Sequence, residues 1–460
     1  MKNTTSVTSN KINYLLLMWT ISIASFMVNL DTFIVNVSLP TIAESFNTNT
    51  SNISWIILSY NLMVVSLLLV FGKLGDKIGL KRMFTLGFFV FTISSIFCGI
   101  STSLLMLILS RFVQGIGASI LYALPQAMIT KYIPQEKRGM AFGILASSAA
   151  LGITLGSPLG GLITGAISWR WIFFINMPVG IFGIFYLMKI LPKDFYDFTS
   201  KKPFDYIGAI FSFLSALFLT FYINKIHTNL TNSTIMFVIL ILAIIFTVAF
   251  WIRMKNYKFA LIDINVFKNI SFDFANIAMF LLSAFLAGTN FLMPFYLYEI
   301  KHLTVSNVGF VFILYSISYL ITSLISGKIS TKIKPYKICI FSMFLSAINI
   351  LFFVYNSNST NLWQVELFLI LCGISFSLFI TSNNNFVMSM AKPSNAGMYA
   401  GIHRMTGRLG MLFGVAGFEA IFSIFSNNNL LAFQISYGVG AIICIFALLF
   451  SIPVSRFDKN

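Results

Sequence analysis

Fourteen apolar runs, each about as long as a lipid bilayer is thick, leave this chain few ways to fold. They fall at approximately 14–38, 53–71, 83–100, 104–126, 141–166, 171–191, 206–224, 234–252, 270–297, 307–326, 338–355, 362–384, 397–424 and 433–452. A helix needs ~20 such residues to cross the hydrocarbon. Inside it every backbone N–H and C=O must be satisfied within the segment, so the runs predict helices. Fourteen spans consume roughly 280 residues, and the short breaks between them leave no room for a sizeable soluble domain. At 58% hydrophobic and 9% charged, the composition excludes an ordinary soluble enzyme, a disordered chain and a secreted disulfide scaffold. Cys98, Cys339, Cys372 and Cys444 lie inside apolar runs, with no CxxC and no His at ligand spacing. They read as small core hydrophobes, so no metal, redox site or cofactor is expected. The polar residues 1–13 precede a run without a small-residue cleavage site, which reads as a retained first span and not a signal peptide.

The basic residues orient the spans. With the N-terminus inside, nearly all of the 30 Lys and Arg fall in inner segments, whereas the outer breaks hold only Arg170, Lys225 and Lys301. Arg111, Arg404 and Arg408 fall in or near spans. This is the positive-inside pattern. It accounts for the net charge of +17 without nucleic acid and predicts a multi-pass plasma-membrane protein, of bacterial source by its AT-biased composition, with both termini cytoplasmic.

An internal repeat sets the architecture. The inner break after span 2, GKLGDKIGLKR (Gly72 to Arg82), is echoed after span 10 by GKISTKIKPYK (Gly327 to Lys337). The glycines of span 5 are echoed by Gly401, Gly407, Gly410, Gly414 and Gly417 of span 13. Duplicated halves of this kind are common in transporters. The expected fold is all-α: a six-helix bundle over 1–191, a linker with two inserted spans over 192–265, and a second six-helix bundle over 266–460.

These segments resemble the fourteen-span drug/proton antiporter family of the major facilitator superfamily, along nearly the whole chain. Gly72, Leu74, Asp76, Gly79, Lys81 and Arg82 match the superfamily's signature loop, and LSRFVQGIGAS (Leu109 to Ser119) its span 4 signature. GITLGSPLGG (Gly152 to Gly161) is similar to the antiporter signature of span 5. LDTFIVNVSLP (Leu30 to Pro40) and SWRWIFFINMPVG (Ser168 to Gly180) resemble elements of the fourteen-span branch. The resemblance implies alternating access, a role for Arg111 in proton transfer, and a conformational latch at Gly72, Asp76, Gly79 and Arg82. It also implies that span 5, with Gly152, Gly156, Pro158, Gly160 and Gly161, seals the cavity on one side. In span 13 the family pattern places an Arg where Gly407 stands. Arg408 is one residue on, about 100° round the helix, so no role carries over for Arg404 or Arg408.

The residues themselves support part of this. A carboxylate in hydrocarbon is costly, so Asp31 must face water, bind a proton or find a partner, a functional reading that competes with a packing role near Pro40. Arg111 cannot shed its proton and needs an acceptor, as a coupling group or as a structural pin. The Gly152-x3-Gly156-x3-Gly160 stripe lets another helix approach closely, and Pro158 removes one backbone bond. Glu419, in span 13, is either a second cavity acid or an interfacial residue. With no G-x-x-x-x-G-K-[ST], energy must come from an ion gradient. The expected function is exchange of inward protons for outward amphipathic, often cationic compounds, by a monomer working with lipid, protons and small-molecule cargo. Export of one native metabolite or lipid is the alternative. A membrane enzyme acting on lipid-linked substrates is disfavoured, because the longest loops run only ~15 residues and His227, His302 and His403 are the only histidines.

Overall fold

The computed structural model describes residues 14–190, 205–225, 233–258, 260–262, 264–330, 332–357, 361–391 and 396–451. The expected linker stretch 192–204 and the N-terminal lysines lie outside them. Fourteen helices are long and apolar enough to span a membrane, and no strand occurs among the described residues. In chain order they are α1 Tyr14–Ser45, α2 Thr50–Gly75, α3 Leu80–Gly99, α4 Leu104–Tyr132, α5 Gln135–Ala166, α6 Trp171–Lys189 and α7 Tyr206–Lys225. They continue with α8 Thr234–Asn256, α9 Ile270–Ile300, α10 Val305–Gly327, α11 Pro335–Asn356, α12 Trp363–Ser389, α13 Met398–Ile424 and α14 Asn429–Ser451.

Two local expectations change. Pro40 does not end the first span, because α1 continues through it to Ser45. The Gly72–Arg82 break is hardly a loop. Helix persists to Ile78 and resumes at Leu80, leaving Gly79 as the corner with φ 112° and ψ 131°. Only glycine adopts that backbone without strain. The glycine-rich string reads as a turn in sequence, yet a helix emerging from the bilayer loses its apolar pattern before it loses its hydrogen bonds.

Glycines decide which helices lie together. A Cβ on Gly152 would stand 2.5 Å from the Phe26 carbonyl, one on Gly156 2.6 Å from the Phe33 Cβ, and one on Gly160 against the Ile34 carbonyl. The α5 stripe is therefore in backbone contact with α1. In the second half Gly410 and Gly414 of α13 press on the Phe280 and Ala284 carbonyls of α9. Helix pairs α1/α5 and α9/α13 thus repeat one packing, as the duplicated glycines suggested. Helix α5 runs unbroken through Pro158, and its opposite edge joins the halves: Gly161 lies on Gly309 and Gly165 on Ser306 of α10. On the other flank α2 packs along α13.

The inserted pair sits against that second flank. Helix α7 touches both α2 and α13, while α8 packs on α7 and is otherwise largely exposed, with Met254 buried at one end. Arg253 of α8 donates to Asp205 at 3.0 Å and stacks on Tyr257 at 3.7 Å, and Lys73 of α2 reaches the Ala260 carbonyl at 2.7 Å. The pair is fastened to the first half at the end bearing Gly79.

Candidate functional site

Asp31 and Arg111, single charges in apolar runs 80 residues apart, meet. Arg111 Nη1 donates directly to Asp31 Oδ2, and the side chains are 1% and 0% exposed. Burying two charges is costly unless each is paired and hydrogen-bonded. Gln114 Nε2 donates to Asp31 Oδ1 at 3.0 Å, and Asn176 Nδ2 of α6 to the same oxygen at 2.9 Å. Arg111 also donates to Gln114 Oε1 at 2.7 Å and to the Ile56 carbonyl at 3.2 Å, and it lies 4.2 Å over the Tyr60 ring. Gln114 reaches Ser95 Oγ at 2.7 Å. Five helices of the first half thus converge on one carboxylate. Gly115 and Gly117 make this possible: a Cβ on either would stand 2.6 Å from backbone of α2 or α3.

Sequence reasoning missed Asn176, although it lies in the quoted SWRWIFFINMPVG segment. A neutral amide costs little in an apolar run, so nothing marks it except polarity where the rest is not.

Glu419 is also fully buried, but not beside Asp31. Asn224 Nδ2 of α7 donates to Glu419 Oε2 at 2.6 Å and to Ser54 Oγ of α2 at 3.1 Å. Trp55 Nε1 donates to Asn224 Oδ1 at 2.8 Å, and Ser423 Oγ donates to Glu419 Oε1. The acid is buried apart from the Asp31 cluster. It belongs to a junction of α2, α7 and α13. Both acids nevertheless hang on the same turn: Ser54 and Trp55 hold the Glu419 cluster, and the Ile56 carbonyl holds Arg111. Asn224→Ala should therefore loosen the inserted pair and leave Glu419 short of a donor. Loss of a buried hydrogen bond to a charged group costs about 1.5–3 kcal/mol. Thermal unfolding in detergent should show a lowered midpoint. An unchanged midpoint would mean that α7 does not hold this junction.

A third group spans the halves. The Arg408 guanidinium lies 4.0 Å over the ring of Tyr122 of α4. Tyr122 Oη donates to Asn29 Oδ1 at 3.2 Å and lies 3.5 Å from Thr32 Oγ1, so it touches α1 on both sides of Asp31. Arg404, one turn before Arg408, donates to the Ala400 carbonyl of its own helix at 3.3 Å. Among the remaining candidates, a Cβ on Gly72 would meet nothing within 4 Å, Gly79 forms the corner, and Arg82 is exposed in the first turn of α3. The Asp76 side chain lies outside the described residues. Across the halves at the opposite end, Tyr298 Oη of α9 donates to Glu44 Oε1 of α1 at 2.7 Å. Among the described residues no His, Cys, Asp and Glu cluster could hold a metal ion.

Two helical halves in contact along α5/α10 and α2/α13, with a buried ion pair in one and a cationic helix face in the other, define an integral membrane transporter. The model of the Major Facilitator Superfamily matches residues 21–254 and 275–459, and the chain belongs to that superfamily. It is 32% identical over 449 residues to the riboflavin transporter RibZ of Clostridioides difficile (strain 630), covering 95% of this chain and 96% of that one. It is 28% identical to the lincomycin resistance protein of Streptomyces lincolnensis, over 95% of this chain and 91% of that one. It is also 34% identical over 253 residues to a putative multidrug resistance protein, MdtD, of Yersinia pestis (strain Pestoides F), over 55% of this chain and 54% of that one. The resemblance to the drug-transport branch read from the motifs is borne out by these relatives. Among solved structures, a bacterial homolog of the human lysosomal transporter Spinster, inward-facing and occupied, superposes with TM-score 0.70 at 13% identity, covering 96% of each chain. A D-xylose–proton symporter does so with TM-score 0.69 at 12% identity, over 95% of this chain and 97% of that one. These two show the shared fold.

Proposed function

We propose that the protein is a proton-coupled exporter of amphipathic small molecules, working by alternating access from the cytoplasmic side of a bacterial plasma membrane, with both termini cytoplasmic and no enzymatic activity. The observation that carries this reading is the buried Asp31–Arg111 pair with its Gln114 and Asn176 donors. A proton arriving on Asp31 competes directly with Arg111. It cancels the charge that holds α1 to α4, and Arg111 must then reorganise toward the Ile56 carbonyl and Gln114. Because α1 also packs on the α5 stripe, and α5 carries the contact with α10, a shift of α1 reaches the seam between the halves. The Gly79 corner, with Asp76 and Arg82 beside it, serves as the latch that holds one of the two arrangements. Relatives named for drug resistance support broad cargo. The relative named for riboflavin supports the alternative, a single native metabolite.

Everted membrane vesicles with an acidic interior test this. Ethidium, fluorescein, lincomycin and riboflavin are each offered outside. Accumulation that depends on the chain and collapses with a proton ionophore is expected for several of them. Uptake of riboflavin alone would select the single-metabolite reading. Uptake indifferent to the ionophore, or present only in right-side-out vesicles, would overturn the proposal.

A further inference from the structure

We infer that the α13 face bearing Arg404 and Arg408, opposed by Tyr122 of α4, is a cargo subsite that selects planar aromatic compounds carrying an anionic or strongly accepting group. This deepens the export reading and rests on it. The one acid of the first half at this level, Asp31, is already in contact with Arg111, so it offers no free negative charge to a cation. Arg404 and Arg408 have no carboxylate within ion-pair distance among the described residues. Glu419 is eleven residues further along the same helix, roughly 16 Å away at 1.5 Å per residue. It is occupied by Asn224 and Ser423. A free carboxylate at the centre would favour a cation. The structure instead leaves two guanidiniums there, which would repel a cation.

Placement and shape follow. Arg404 and Arg408 are four residues apart, so they share one helix face about 6 Å apart along the axis. That face looks to the first half: Arg408 is over Tyr122, and a Cβ on Gly401, two turns earlier, would lie 3.6 Å from Leu69 of α2. Both arginines stand well inside the span yet are only partly buried. Partial exposure of a charge on an inward face marks space open to water or cargo. One face of the Arg408 guanidinium rests on the Tyr122 ring. Its Nη1 lies 3.9 Å from the Met411 sulfur, a weak acceptor that a carboxylate, sulfonate or paired carbonyls on a stacked ring would displace. Beside Arg404, His403 uses Nδ1 on Asn276 at 3.0 Å, while its buried Nε2 has no partner.

The site also reaches the proton site without sharing a charge with it. Tyr122 bonds Asn29 and Thr32, which flank Asp31 on α1. Cargo that displaces or locks Tyr122 therefore acts on the helix whose carboxylate holds Arg111. Exporting an anion against an entering proton moves positive charge inward at both steps, so an inside-negative potential drives the cycle as well as the pH gradient does.

The test is equilibrium binding to the purified chain in nanodiscs without any gradient, so a failure of proton coupling would leave it readable. Fluorescein and ethidium are the anionic and cationic probes. Wild type is expected to bind fluorescein at least tenfold more tightly than ethidium. Arg408→Gln and Arg404→Gln should each weaken fluorescein at least tenfold without weakening ethidium, and Arg408→Lys should restore only part of the loss. Tighter ethidium than fluorescein in wild type, no binding of either, or unchanged fluorescein affinity in a monodisperse Arg408→Gln variant would overturn the inference. Equal loss of both probes would assign Arg408 to structure and overturn it too.

Discussion

Asp31→Asn is expected to lower uphill, proton-driven efflux at least tenfold, about 1.4 kcal/mol or more on the limiting step, while leaving cargo exchange down its own gradient in place. Asparagine keeps the shape and one acceptor oxygen for Gln114 and Asn176, but it can neither bind a proton nor neutralise Arg111. The variant therefore behaves as a chain fixed in the discharged state. Leaving a guanidinium buried without its carboxylate also costs stability, on the order of 3–5 kcal/mol when one partner of such a pair is removed, so rates must be compared at equal amounts of folded protein. Counterflow of labelled cargo supplies the control. Counterflow without uphill transport is the expected pattern. Full proton-driven efflux would make Asp31 a packing residue.

Gly156→Leu, at the middle of the α5 stripe, should be strongly damaging. Even a Cβ there would stand 2.6 Å from the Phe33 Cβ and 3.2 Å from the Leu30 carbonyl and the Ile34 amide. Backbone atoms cannot swing aside as side chains do, so α1 and α5 must separate. Overpacking costs typically 1–3 kcal/mol, and contact with backbone places this case at the upper end, about 3 kcal/mol. Because α1 carries Asp31, separation also pulls the carboxylate from Arg111. Gly143→Leu on the same helix is the control, since its Cβ would meet nothing within 4 Å. Loss of folded protein and of transport for Gly156→Leu, with Gly143→Leu near wild type, is expected in thermal-shift and efflux assays. Equal behaviour of the two would remove the stripe from the account.

The architecture was readable in the sequence because hydropathy is a one-dimensional signal: each span is written continuously, and the duplicated glycines pair α5 with α13. Asp31 and Arg111 stood out for the same reason, as charges where charge is costly. Their pairing did not, because it joins residues 80 apart and depends on how α1 and α4 cross. Asn176, Asn224 and Tyr122 were not singled out at all. Their neutral polar groups scarcely disturb an apolar run, and they gain meaning only beside Asp31, Glu419 and Arg408. Glu419 was visible, but its surroundings depend on where the inserted pair docks, which no periodicity records. Arg404 and Arg408 were legible as residues and opaque in role, since the motif that would assign one is out of step by a residue.

The central claim is that a proton on Asp31 is exchanged for cargo. Purified protein in proteoliposomes enclosing a pH-sensitive dye, with a cargo gradient as the sole driving force, measures that directly. Cargo flux through the wild-type chain is expected to drive protons in the opposite direction, and Asp31→Asn to carry cargo with no accompanying proton flux. Proton movement persisting in Asp31→Asn, or cargo flux through wild type without any, would contradict it.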